Sequence, residues 1–142
     1  MSKTITATVS MEFDAPVAKV WQAITDPALV KQYFFGTDLV TDWKVGKPIY
    51  FRGEWEGQAY EDKGTVLQFE PEKMLQYDYF SSWSELEDKP ENYQTITYTV
   101  EPKGDGTLLT IIQTNVPGEE QKEHSEQNWA MLLGEMKKLV EK

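Results

Sequence analysis

His124 is the only histidine of the 142-residue chain, and it stands among Glu120, Glu123 and Glu126. Such side chains can hold a metal ion or form a general base, but a strong site needs a second imidazole or a thiolate, and the chain has no cysteine. A solvated glutamate-rich helix surface is expected, with no metal and no Ser-His-Asp triad. Arg52, the only arginine, could anchor a carboxylate or phosphate in bidentate fashion. In a strand over 49–55 it shares a face with Tyr50 and Glu54, opposite Ile49, Phe51 and Trp55, so a pair with Glu54 outside any cavity is expected. Glu54, Glu56, Glu61 and Asp62 flank a predicted hairpin. Acid/base catalysis needs two carboxyls at a defined gap across a cleft, so these read as a solvated edge that discourages strand-to-strand association. No phosphate-binding glycine loop or metalloprotease helix is present, and no catalytic residue is assigned.

The aromatic residues carry more information. Phe, Trp and Tyr make up 13% of the chain, more than a small core strictly needs. Phe34, Phe35, Phe51, Trp55, Tyr77, Tyr79, Trp83, Tyr98 and Trp129 fall on segments that one fold could bring together. Two readings fit: the rings fill the core themselves, or they wall a pocket with polar handles. In the segment 74–80, Leu75, Tyr77 and Tyr79 share one phase, so the two tyrosines face inward together. Their hydroxyls can meet a ligand oxygen or a buried backbone group.

The elements that position these residues follow from periodicity. Over 4–13, Ile5, Ala7, Val9, Met11 and Phe13 alternate with polar residues, which predicts a half-buried strand. Asp14-Ala15-Pro16 offers a cap and a first-turn proline to a helix carrying Val17, Val20, Trp21 and Ile24. Thr25-Asp26-Pro27 repeats the device for a second helix, with Leu29, Val30, Tyr33 and Phe34, that stops at Gly36. Turn-prone groups then separate strands predicted at 39–41, 48–55, 58–69, 73–80, 93–101 and 107–114. The connections are too short for helical crossovers, so the sheet should be antiparallel. A loop over 81–92 carries Trp83 as a mobile gate. Trp129, Leu132, Leu133, Met136, Leu139 and Val140 form one stripe of a long last helix, with Glu119 and Glu120 near its start and Lys137 and Lys138 near its end.

Composition excludes some functions. A formal charge of −10 repels phosphate backbones and anionic membranes, so nucleic acid is not an expected partner. No run of about 18 apolar residues is present to span a bilayer, and the first residues lack a signal-peptide pattern. The absence of cysteine suits a reducing compartment, and a cytoplasmic location is expected. One domain over residues 1–142 follows from length and the lack of a linker.

Ala15-Pro16-Val17-Ala18-Lys19-Val20-Trp21-Gln22-Ala23-Ile24-Thr25-Asp26-Pro27 resembles the opening helix of the START-like, or SRPBCC, superfamily. Gly64 to Leu75, Gly106-Thr107-Leu108-Leu109-Thr110 and the helix bearing Trp129 are similar to that group's centre and end. Within it, the chain is most similar to the bacterial branch related to the activator of the heat-shock protein ninety ATPase. Where that branch commonly has Gly-Trp in the last helix, this chain has Asn128-Trp129, which puts a side chain where helix and sheet meet. The resemblance implies an α+β helix-grip fold: a seven-stranded curved antiparallel sheet around a long C-terminal helix, with two short helices between the first two strands. It also implies binding of a small hydrophobic or amphipathic molecule, such as a lipid, and a link to stress responses. The expected walls are Phe34, Tyr77, Tyr79, Trp129 and Leu133, with Phe51, Trp55, Tyr98 and Met136 beside them and Trp83 as the gate. No cofactor and no covalent chemistry are expected, and the chain is expected as a monomer or weak homodimer. The alternatives are a co-chaperone-like protein-interaction module and a cyclase or dehydratase.

Overall fold

The computed structural model describes residues 5–34, 36–55, 57–80, 87–89, 92–116 and 118–141, with the side chain of Trp55 outside that set. Phe35, Glu56 and the expected gate Trp83 also lie outside the described residues. The chain begins with β1 (Ile5–Phe13), α1 (Val17–Thr25), α2 (Pro27–Tyr33) and β2 (Asp38–Val40). It continues through β3 (Pro48–Trp55), β4 (Gln58–Glu70), β5 (Met74–Tyr79), β6 (Gln94–Lys103), β7 (Gly106–Val116) and α3 (Glu119–Val140). The strands form one antiparallel sheet in the order β1-β7-β6-β5-β4-β3-β2. This is the expected helix-grip architecture. No described helix is long and apolar enough to cross a membrane.

Local chemistry explains where the elements begin. Asp26 caps α2 by accepting a 2.9 Å bond from the Ala28 N–H, and Pro27 takes the first helical position, where its missing N–H costs nothing. Asp14 does not cap α1 as expected; Pro16 occupies the cap position with no side-chain bond. The Asp14 N–H instead donates to the side chain of Glu141, the residue that follows α3, at 2.7 Å. Tyr33 ties the short helices together, since its buried hydroxyl donates to the Ala23 carbonyl at 2.9 Å.

Helix α3 lies chiefly over β1, with α1 and α2 beside it. Glu126 accepts from the Thr8 N–H at 3.1 Å, and Lys137 donates to the Glu12 carbonyl at 2.9 Å. With the Asp14–Glu141 bond, these contacts occupy backbone groups that an edge strand would otherwise offer to another chain. Phe13, Val20, Leu109, Leu133 and Met136 close the core at this end, each at most 2% exposed. The other half of the concave face, formed by β3 to β5, receives less of α3. That asymmetry leaves room for a cavity.

Candidate functional site

Hairpin register places the cavity's first polar groups. Trp55 pairs with Gln58 across a two-residue connection in which Gly57 takes φ of 83°, a conformation glycine adopts without strain. The register then sets Phe51 opposite Asp62 and Gly53 opposite Tyr60. Phe51 is buried on the inner face, so Asp62 and Tyr60 face inward as well. Tyr60 lies over Gly53, where a Cβ would come within 2.5 Å of its hydroxyl oxygen. That hydroxyl shares a 2.5 Å hydrogen bond with the buried Thr37.

A cavity of about 650 Å³ lies between this part of the sheet and α3. Phe34, Thr37, Phe51, Tyr60, Asp62, Tyr77, Tyr79, Ile96 and Gln113 line it from one side, and Ser125, Asn128, Trp129, Met131 and Leu132 line it from α3. Tyr79 donates its phenolic O–H to Asp62 at 2.6 Å. Trp129 donates its indole N–H to Gln113 at 2.8 Å, and the Gln113 amide donates onward to Gln94. A polar chain therefore fixes the indole at one wall while its ring meets Tyr98 edge-on at 5.8 Å.

Phe34, Phe51, Tyr77, Tyr79 and Trp129 line the cavity, whereas Tyr98, Leu133 and Met136 do not. Leu133 and Met136 are 1% exposed and belong to the closed end of the core. Tyr98 packs behind Tyr77, ring centroids 6.1 Å apart. Burial raises the Tyr77 phenol well above its ordinary value and that of Tyr98 to about 12, with the bond from Tyr77 opposing the rise at Tyr98. Both phenols are thus neutral near pH 7.

The acidic hairpin departs from expectation. Asp62 lies in the cavity wall rather than on a solvated edge, and β2 covers the edge of β3. Arg52 does point away from the cavity, but its partner is Glu61 on β4, not Glu54, and its guanidinium sits 4.7 Å from the centre of the Tyr50 ring. His124 is exposed on α3, and among the described residues no cluster could hold a metal ion. Asn128 is exposed and lines the cavity from α3. Thr37, Tyr60, Ile96 and Gln113 also line the cavity and are not among the residues expected from the sequence, and Asp62 was expected only at a solvated edge. The hairpin register was the available signal for Tyr60 and Asp62; for Gln113 it was a polar residue in phase with Leu109 and Ile111.

Residues 14–141 match the family described as Activator of Hsp90 ATPase homolog 1-like protein. The chain belongs to this family. The solution structure of ChR145 from Cytophaga hutchinsonii is 42% identical, covers 99% of this chain and 97% of its own, and superposes with a TM-score of 0.86. CV1439 from Chromobacterium violaceum is 23% identical over 96% of this chain and 97% of its own, with a TM-score of 0.80. MLL2253 from Mesorhizobium loti is 22% identical over the same shares, with a TM-score of 0.77. These last two likenesses show the fold alone. No curated protein matches the chain.

The close fit at Gly53 makes the cavity of this family member testable. Gly53→Ala must displace the Tyr60 ring and disturb its bond to Thr37. It should cost about 1–2 kcal/mol of stability, the range of a modest overpacking. Denaturant unfolding measures the loss; a variant as stable as the parent would show that the Tyr60 ring moves aside without cost.

Proposed function

We propose that this chain binds a small hydrophobic or amphipathic molecule non-covalently in the cavity between the sheet and α3. The observation that carries the reading is the cavity itself: about 650 Å³, with aromatic and aliphatic walls and two convergent polar pairs, Thr37 with Tyr60 and Asp62 with Tyr79. Small-molecule sites have this size and this mixture of apolar wall and few placed polar groups. The walls we assign are Phe34, Phe51, Tyr77, Tyr79 and Trp129, joined by Tyr60, Asp62 and Gln113. Membership of the family supports the fold of the container and leaves its contents to experiment.

Native mass spectra of the purified protein, followed by backbone-amide NMR titration with sterols, fatty acids, flavonoids and polyketide-like aromatics, test the proposal. A bound mass, or saturable shifts clustered at Phe34, Tyr77, Tyr79 and Trp129, is expected. No bound mass and no shift across the panel would sink it in favour of a co-chaperone-like interaction surface. That surface has less support, since the large apolar side chains exposed among the described residues are Val40, Val45, Leu67 and Met131.

One observation favours a catalytic second reading. Asp62 brings a carboxylate into the cavity and holds Tyr79 by a 2.6 Å bond, so a proton acceptor and a donor lie side by side. A cyclase or dehydratase could use such a pair. Conversion of a bound panel member, followed by its mass over time and abolished by Asp62→Asn, would support this reading over simple binding.

A further inference from the structure

The Gln113 side chain has one donor more than its partners use. It lies on β7, paired with Ala7 of β1 and Ile96 of β6, is 7% exposed and lines the cavity. An indole N–H only donates, so the Gln113 atom that meets Trp129 at 2.8 Å is the amide oxygen. The amide nitrogen therefore stands at the other end of the group, where one of its two hydrogens goes to the Gln94 oxygen. The second N–H meets no acceptor among the described residues.

Three physical effects point the same way. A buried N–H without an acceptor costs free energy, and a ligand oxygen that brings lone pairs and no proton removes that cost. A hydroxyl also accepts, but its own proton then needs a second partner. Gln113 cannot turn to find another acceptor, because Trp129 engages its oxygen and Gln94 its nitrogen. The donor is neutral, so it favours a neutral acceptor: a carboxylate would lose more hydration on entering than one amide N–H returns. The rest of the ligand must be apolar, since Ile96 and Trp129, the immediate neighbours of Gln113, line the same cavity.

We infer that the cavity takes a hydrophobic molecule bearing a neutral carbonyl group, whose oxygen accepts the second amide N–H of Gln113 beside the Trp129 indole. This inference rests on the cavity being a binding site, and it narrows the ligand to uncharged carbonyl compounds such as ketones, esters and amides. Gln113 then has two tasks: its oxygen holds Trp129 in the wall, and its nitrogen recognises the ligand.

Three probes with one body and different ends test this assignment: 2-acetylnaphthalene, its near-isostere 2-isopropenylnaphthalene and 2-naphthoate, each titrated into the full chain at neutral pH. Gln113→Glu keeps an oxygen for the Trp129 N–H and puts an acceptor where the amide nitrogen stood. The preference for the ketone over the hydrocarbon should be about tenfold greater in the parent than in this variant, the size of one hydrogen bond. In the parent, the naphthoate should bind more weakly than the ketone. Should the variant fold poorly, side-chain amide NMR of the unaltered protein provides the second measurement: one of the two Gln113 amide protons should lie downfield in the ketone complex relative to the hydrocarbon complex. Equal preferences in parent and variant, Gln113 protons alike in the two complexes, or a naphthoate that binds most tightly would overturn the inference while leaving the cavity as a binding site. Failure of all three probes to bind would overturn both.

Discussion

Trp129→Ala should lower the free energy of unfolding by about 3–5 kcal/mol, the usual range for truncating a large buried aromatic side chain. Trp129 is 9% exposed, lies edge-on to Tyr98 and supplies the donor that meets the Gln113 side chain. Truncation removes the ring contacts, enlarges the cavity and takes the donor from a glutamine that is 7% exposed. Denaturant unfolding measures the total. Trp129→Phe separates its parts, because it keeps most of the ring while deleting the indole N–H, and should cost about 1–3 kcal/mol. The cavity reading adds a second expectation: at denaturant-free conditions, where the alanine variant is still folded, ligand affinity should fall by more than the small unfolded fraction explains. A stability loss below about 1 kcal/mol would show that helix and sheet hold together without this side chain, against the contacts described above.

The architecture was readable because the two periodicities are clean. Ile5, Ala7, Val9, Met11 and Phe13 alternate in a strand whose inner positions are buried or half-buried, and the α3 stripe buries Trp129, Leu132, Leu133, Met136 and Val140. Periodicity identifies a face but not a height along it. Leu133 and Met136 share that face with Trp129, yet both are 1% exposed within the core cluster, so their side chains contact protein instead of space. Tyr98 has the expected inward phase on β6, but its ring packs between Tyr77 and Trp129, behind the wall of the cavity. Asp62 shows the opposite error. Composition marked it as surface, while the pairing Trp55 to Gln58 carries it, residue by residue, to the face of Phe51. Local charge is a weaker guide than register once one side of a hairpin is known to be buried. Thr37 follows α2 in an irregular segment with no periodicity to place it, and only tertiary packing brings it to 0% exposure.

Gly64→Ala should be nearly as costly as loss of the indole, although it adds only one methyl group. A Cβ at Gly64 would stand 1.7 Å from the Asp78 carbonyl oxygen, a separation no side-chain rotation relieves because the obstacle is backbone. The approach has a cause in the sheet. Between the Val66–Tyr77 pair and the Lys63–Phe80 bridge, the Thr65 N–H donates 2.6 Å to the Asp78 side chain, and the neighbouring carbonyl turns toward Gly64. Accommodating a methyl group means moving β5 away from β4, which breaks that side-chain bond and shifts Tyr79 with its strand. We expect a loss of about 2–4 kcal/mol, above ordinary overpacking because a backbone ladder must give way. Hydrogen exchange locates the damage: the amides of Thr65 and Phe80 should lose protection first, while those of β1 and β7 keep theirs relative to the new global stability. A variant as stable as the parent would mean that the two strands can part at this point without cost, and that the closeness of Gly64 to Asp78 does not constrain the wall carrying Asp62 and Tyr79.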